Sequence, residues 1–106
     1  MNNLFLSEKA KNDLLETKTY IEEELQNPAS AKETVNNIIK SLRILQDFAQ
    51  AGALLSSVVN IESDYRFLVS GNYISFYRIH NNEIYVDRIL YARRNYMQIL
   101  FGDDEK

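Results

Sequence analysis

The chain has 106 residues, 45% hydrophobic and 25% charged, with 12 Lys and Arg against 15 Asp and Glu, which fits one domain over residues 1–106 with a single modest core. It has no cysteine and one histidine, His80, so disulfides, thiolate zinc sites and cysteine nucleophiles are excluded, and neither a metal site nor a cofactor is expected. No apolar run approaches the roughly 18 residues of a membrane span and no signal-peptide core opens the chain, so the expectation is a cytoplasmic protein with no membrane partner.

The first apolar run, Asn3-Leu4-Phe5-Leu6, reads as a strand, and Ser7 as the N-cap of a helix. Ala10, Leu14, Ile21 and Leu25 then recur on one helical face, with Glu8, Lys11, Glu22 and Glu23 on the others. Asn27-Pro28 ends this helix and starts the next, Asn27 as N-cap and Pro28 at the first helical position. In the second helix Ala31, Val35, Ile38, Leu42 and Leu45 alternate steps of four and three, a stripe that predicts an antiparallel helix hairpin. Residues 49–63, with Gly52 and Ser56-Ser57, lack periodicity and read as a loop, with at most a weak strand near Val58-Val59.

Three runs rich in aromatic and branched residues follow. Tyr65 to Ser70 and Tyr73 to Ile79 flank Gly71-Asn72, a two-residue hairpin turn, and Ile84 to Tyr91 follows Asn81-Asn82, a second such turn. With two residues in each turn, one face of this meander carries Tyr65, Phe67, Val69, Ile74, Phe76, Ile89 and Tyr91, with Arg78 diagonal to Asp87. The other carries Arg66, Leu68, Tyr73, Ser75, Tyr77, Val86, Arg88 and Leu90. The first face is the greasier and is expected to pack on the helix hairpin. The second mixes guanidinium and phenol groups with apolar residues, as a surface read by another macromolecule does. Arg93-Arg94-Asn95-Tyr96 then leads into Met97, Ile99, Leu100 and Phe101, the apolar side of a short last helix. The whole is an α+β fold: a small twisted antiparallel sheet, made of the N-terminal strand and the meander, on an N-terminal helix hairpin.

The formal net charge of −3 is unevenly spread. Residues 1–63 are net acidic, as is the tail Asp103-Asp104-Glu105-Lys106. Between them Arg66, Arg78, Arg88, Arg93 and Arg94 outnumber Asp64, Glu83 and Asp87. Every cation there is Arg, suited to bidentate contact with carboxylate or phosphate, so an anionic partner is invited. The alternative is that these arginines neutralise the acidic helices of the same chain.

The order of tyrosine-rich meander, paired arginines and short C-terminal helix, together with the helix hairpin tipped by Asn27-Pro28, resembles the RelE/ParE superfamily of toxins from type II toxin–antitoxin modules. The resemblance covers almost the whole chain. It implies a growth-inhibiting toxin, of the kind also linked to plasmid stabilization, that forms a hetero-oligomer with a cognate antitoxin. Some members of the superfamily cleave mRNA on the ribosome, while the ParE branch poisons DNA gyrase.

Arg93-Arg94-Asn95-Tyr96 is closer to the ParE branch, where paired arginines follow the last strand. The ribosome-dependent members resemble one another in a basic residue just after the first Tyr of the middle meander strand, where this chain has Ile74. They are also strongly basic, since phosphate contacts draw on Lys and Arg, whereas this chain has a pI of about 5.1. If the chain were such a nuclease, Arg66, Arg88 and Arg94 would be the candidate cations and Tyr96 or Tyr73 the proton source. The base would fall to His80 or Glu83. The expectation is therefore a ParE-like toxin that contacts gyrase through Arg66, Tyr73, Tyr77, Arg88, Arg93, Arg94 and Tyr96, residues also open to the antitoxin. The alternatives are a ribosome-dependent mRNA endonuclease and an inactive toxin-like protein that only binds antitoxin.

Overall fold

The computed structural model describes residues 1–102; the acidic tail lies outside the described residues. The elements follow in the order β1 (Asn3–Leu6), α1 (Glu8–Thr19), a π-helical turn (Tyr20–Glu24), α2 (Pro28–Asp47), β2 (Ala53–Leu54), a 3-10 turn (Leu55–Ser57), β3 (Arg66–Ser70), β4 (Tyr73–His80), β5 (Glu83–Tyr91) and α3 (Tyr96–Phe101). They form the expected α+β architecture around a five-stranded sheet of order β1-β5-β4-β3-β2. β1 runs parallel to β5, and the other pairs are antiparallel. β2 departs from the expected loop: residues 49–63 contain a two-residue edge strand opposite Arg66 and Phe67, and none at Val58-Val59.

The helix starts follow from their caps. The Ser7 side chain accepts from the Ala10 amide at 2.9 Å and donates to the Asp87 carbonyl at 2.7 Å, so one hydroxyl both caps α1 and ties it to β5. Asn27 accepts from the Ser30 amide at 3.1 Å, with Pro28 behind it at the start of α2. In α2 the stripe is as expected, with Ala31, Ile38, Leu42 and Leu45 buried. In α1 it is not. Ala10, Asp13, Thr17 and Ile21 are buried, whereas Leu25 is 56% exposed. The helix widens after Thr19 into a π turn, with the Leu25 amide bonded to the Tyr20 carbonyl and Gln26 at a φ of 52°. Past that point a 3.6-residue period no longer predicts the buried side.

Both meander turns have two residues, with Gly71 and Asn81 each at a φ of 58°. The β3–β4 register, Phe67 opposite Phe76 and Val69 opposite Ile74, is the expected one. The β4–β5 register holds from His80↔Glu83 to Tyr77↔Val86 and then slips, with Phe76 opposite Arg88 and Tyr73 opposite Tyr91. Asp87 is the extra residue of a β-bulge. Beyond it Ile89, Leu90 and Tyr91 change face. Ile89, expected with Phe76, packs under the helices, and Leu90, expected with Tyr73, packs with Phe76.

The helix hairpin also lies on the other face from the one expected. Its core joins Ala10, Ile38, Leu42 and Leu45 to Tyr77, Ile84, Val86 and Ile89. The greasier face, with Phe67, Ile74, Phe76 and Leu90, is covered by Leu55, Val59 and α3. On the helix side the buried tyrosine is fully satisfied. Tyr77 is 0% exposed, and its hydroxyl donates to the Ala49 carbonyl at 2.8 Å and accepts from the Gly52 amide at 2.9 Å. On the α3 side, Arg78 pairs with Asp87 at 2.8 Å as anticipated, and Tyr65 donates to the same carboxylate at 2.9 Å.

The buried charge on α1 is Asp13. Its carboxylate accepts from Nε and a terminal nitrogen of Arg88 and from the Ile89 amide, all at 2.9 Å. Removing one partner of a buried pair strands the other charge, so Asp13→Ala should cost about 3–5 kcal/mol, read as a lower urea midpoint with unchanged m value. Asp13→Asn, which still accepts from the Ile89 amide, should cost less. A loss below roughly 1 kcal/mol in Asp13→Ala would place the clamp among ordinary surface pairs.

At Gly52 a Cβ would stand 2.5 Å from the Phe67 carbonyl oxygen and 2.6 Å from the Tyr77 hydroxyl. Gly52→Ala should therefore destabilise by about 1–3 kcal/mol, and an unchanged melting midpoint would refute that crowding. Burial first, then the hydrogen bond to Asp87, pushes the Tyr65 phenol up to about 12. The fold thus favours the neutral phenol, a contribution complete below the ordinary tyrosine value near 10 and lost as pH rises through about 12. Stability of the unaltered chain should fall more steeply over that window than that of Tyr65→Phe; parallel curves would count against it.

Candidate functional site

β5 ends at Tyr91, and the chain turns sharply before α3. The Ala92 amide bonds to the Asn72 carbonyl at 2.8 Å, the Arg94 amide to the Tyr91 carbonyl at 3.0 Å and the Tyr96 amide to the Arg94 carbonyl at 2.8 Å. Asn95 then caps α3 by accepting from the Gln98 amide. This bonding fixes a turn on which Arg93 and Arg94 are both exposed. Among the described residues neither forms an ion pair, in contrast to Arg78 and Arg88.

Arg94 stands at the edge of a groove of about 670 Å³ between the helix hairpin and the sheet. One wall is α1 and its π turn, through Thr17, Tyr20, Ile21 and Leu25, continued by Ser30 and Thr34 of α2. Ile89 and Leu90 belong to the sheet side, and Asn72, Tyr73 and Tyr91 complete the lining there. Tyr73 and Tyr91 meet edge to face at 5.6 Å, so two large amphipathic rings flank the opening. Burial raises the Tyr73 phenol above its ordinary range, with Thr17 beside it pulling the other way. A neutral phenol there donates and accepts hydrogen bonds but is a poor base. Asp13 and Glu16 put carboxylates on the same lining, so the groove offers apolar area, phenols, one guanidinium and acidic groups. That is equipment for holding a polypeptide.

The other sequence candidates do not share this site. Arg66 donates to the Gly52 carbonyl at 2.8 Å and is half-buried. Tyr77 is wholly buried, and Arg88 is committed to Asp13. Tyr96 sits on the α3 side, its ring 5.2 Å from that of Phe76. The expected gathering of Arg66, Arg88 and Arg94 on one patch is therefore not found: of the three, Arg94 alone lines the groove, with Tyr73 beside it. His80 and Glu83 flank the Asn81-Asn82 turn, seven residues along β4 from Tyr73, or about 23 Å at the usual strand rise. Among the described residues no three His, Asp or Glu side chains converge as metal ligands would.

Thr17, Tyr20, Asn72 and Tyr91 line the groove without being among the residues expected from the sequence. A signal existed for Thr17: a small polar residue on the buried stripe between Ala10 and Ile21 leaves room for something else. Tyr91 carried none, because its face depends on the bulge.

The sequence pattern of the family described as the ParE toxin of the type II toxin–antitoxin system parDE matches residues 4–96. Among curated proteins nothing matches. A solved structure described as the chromosomal ParDE toxin–antitoxin system from P. aeruginosa is similar over 88% of this chain and 98% of that one, at 26% identity and a TM-score of 0.73. YafQ from E. coli strain BL21(DE3) is similar over 96% of this chain and 100% of that one, at 16% identity and a TM-score of 0.46. By the family pattern, which spans most of its length, the chain belongs to the ParE toxins of type II toxin–antitoxin systems, within the RelE/ParE superfamily.

Proposed function

We propose that this toxin arrests growth by binding DNA gyrase through the Arg93–Arg94 turn, and that its antitoxin silences it by covering the adjoining groove. The observation that carries the reading is the division of labour among the arginines. Arg66, Arg78 and Arg88 are each engaged within the chain, whereas Arg93 and Arg94 face solvent without a carboxylate partner among the described residues. A desolvated guanidinium at the centre of an interface supplies a large share of binding energy.

The antitoxin would lay an apolar segment against Tyr20, Ile21, Tyr73 and Tyr91 and bring a carboxylate to Arg94. Both partners then compete for one cation, which accounts for neutralisation without any change of fold. Toxin, antitoxin and target meet in the cytoplasm in this reading, and residues 1–106 act as one domain. No helix among the described residues is long and apolar enough to cross a membrane.

The alternative, ribosome-dependent mRNA cleavage, is less well supported. Beside Arg94 the groove holds phenols and the Glu16 carboxylate, while Asp13 is committed to Arg88 and the histidine stands at the far end of β4. A pI of about 5.1 also suits a protein partner better than a ribosome.

Expressed without an antitoxin, the protein should arrest bacterial growth, with filaments and DNA damage while mRNA stays intact, and the purified protein should inhibit supercoiling by gyrase. Arg94→Ala should abolish both effects with folding stability within about 0.5 kcal/mol of the parent. Toxicity retained in that variant would remove Arg94 from the site, mRNA cut within codons would favour the nuclease, and no arrest at all the inactive protein.

A further inference from the structure

α3 is held to the rest of the molecule unlike any other helix. It has six residues, too few to persist alone in water, and none of them is buried. Its side-chain hydrogen bonds are local, between Asn95 and Gln98. What docks it is apolar contact. Tyr96 lies against Phe76 with centroids 5.2 Å apart and rings tilted by 34°, Phe101 meets Tyr65 edge to face at 5.8 Å, and Ile99 and Leu100 pack on the cluster of Leu55, Phe76 and Leu90. Such contacts have no directional anchor, and an element with few of them opens at low cost while the strands beneath stay formed. The turn that joins α3 to β5 is the one carrying Arg93 and Arg94. Its residues 92–95 are exposed, and its hold on position comes from backbone bonds at Ala92, Arg94 and Tyr96, the last of which is already the first residue of α3.

We infer that α3 is a latch: docked on the β3–β4 face it fixes the Arg93–Arg94 turn at the groove, and released it lets the arginine pair go slack, so that occupancy of the groove and docking of α3 are coupled. This regulates the site proposed above and rests on that reading for its biological purpose, though the coupling is a property of the chain alone. A partner gripping Arg94 would select the docked state and tighten α3 against the sheet, because a ligand shifts a conformational equilibrium by its preference for one state.

The test is made on the full chain by NMR, comparing the parent with Leu100→Ala, which thins the docking contact without touching the turn. In the parent, amides of residues 99–102 should exchange about a hundredfold faster than those of Tyr77 and Val86 in the core strands. In Leu100→Ala that exchange should quicken further, and the order parameter of the Arg94 Nε–H group should fall below about 0.6 while that of Arg88 holds. Should Leu100→Ala prove poorly folded, warming the parent below its unfolding transition must move the same two signals together. Core-like protection of α3 would overturn the latch. So would faster exchange with Arg94 order unchanged, the mark of a merely fraying end. Neither signal involves gyrase or an antitoxin, so failure of the target assignment, seen as uninhibited supercoiling, leaves this outcome separately readable.

Discussion

One carboxylate fixes the relation between the helices and the sheet. Asp13, 6% exposed on α1, receives the fork of Arg88 and the backbone amide of Ile89. Those residues directly follow Asp87, the extra residue of the β5 bulge. A bulge leaves the ladder locally disrupted, and the Ile89 amide finds its acceptor in Asp13. A buried carboxylate is costly unless its hydrogen-bonding capacity is filled, and the bulge supplies a guanidinium and an N–H on one side. Helix and strand irregularity thus satisfy each other. The slip they stabilise sends Ile89 beneath the helices and Leu90 to the opposite face, while Tyr91 is left lining the groove.

The sheet is packed on both faces, and amphipathic side chains supply part of the filling. Tyrosine serves here because its ring carries apolar area and its hydroxyl can be satisfied locally. Tyr77 reaches the backbone of Ala49 and Gly52 and so holds the loop after α2 against the sheet. Gly52 is required there because the Phe67 carbonyl and the Tyr77 ring leave no space for a side chain. On the other face Tyr65 joins the Arg78–Asp87 pair, with the Arg78 guanidinium 5.2 Å above its ring.

The proposed function rests on what this packing leaves over. An acidic chain spends most arginines of its C-terminal half on its own carboxylates and carbonyls and leaves Arg93 and Arg94 on an exposed turn beside a groove lined with tyrosines. Steering by overall charge is weak in such a molecule. In the proposed reading recognition falls instead to a few desolvated contacts, as competition between two protein partners for one cation requires.

The local elements were legible in the sequence because their causes are local. Ser7 and Asn27 cap helices, the α2 stripe repeats in steps of four and three, and Gly71-Asn72 and Asn81-Asn82 make turns through residues that accept positive φ. The ordered set of elements also carried the family resemblance. What the tertiary structure alone decided lies at long range. The bulge depends on a carboxylate 76 residues away from the amide it receives, and no pattern within β5 announces it. A one-residue slip exchanges the faces of every side chain beyond it, so Ile89, Leu90 and Tyr91 could not be placed from their own neighbours. Which arginines remain for a partner is likewise fixed by where Asp13, Asp87 and the Gly52 carbonyl come to rest, because a guanidinium is claimed by the nearest acceptor in space and not by the nearest in sequence.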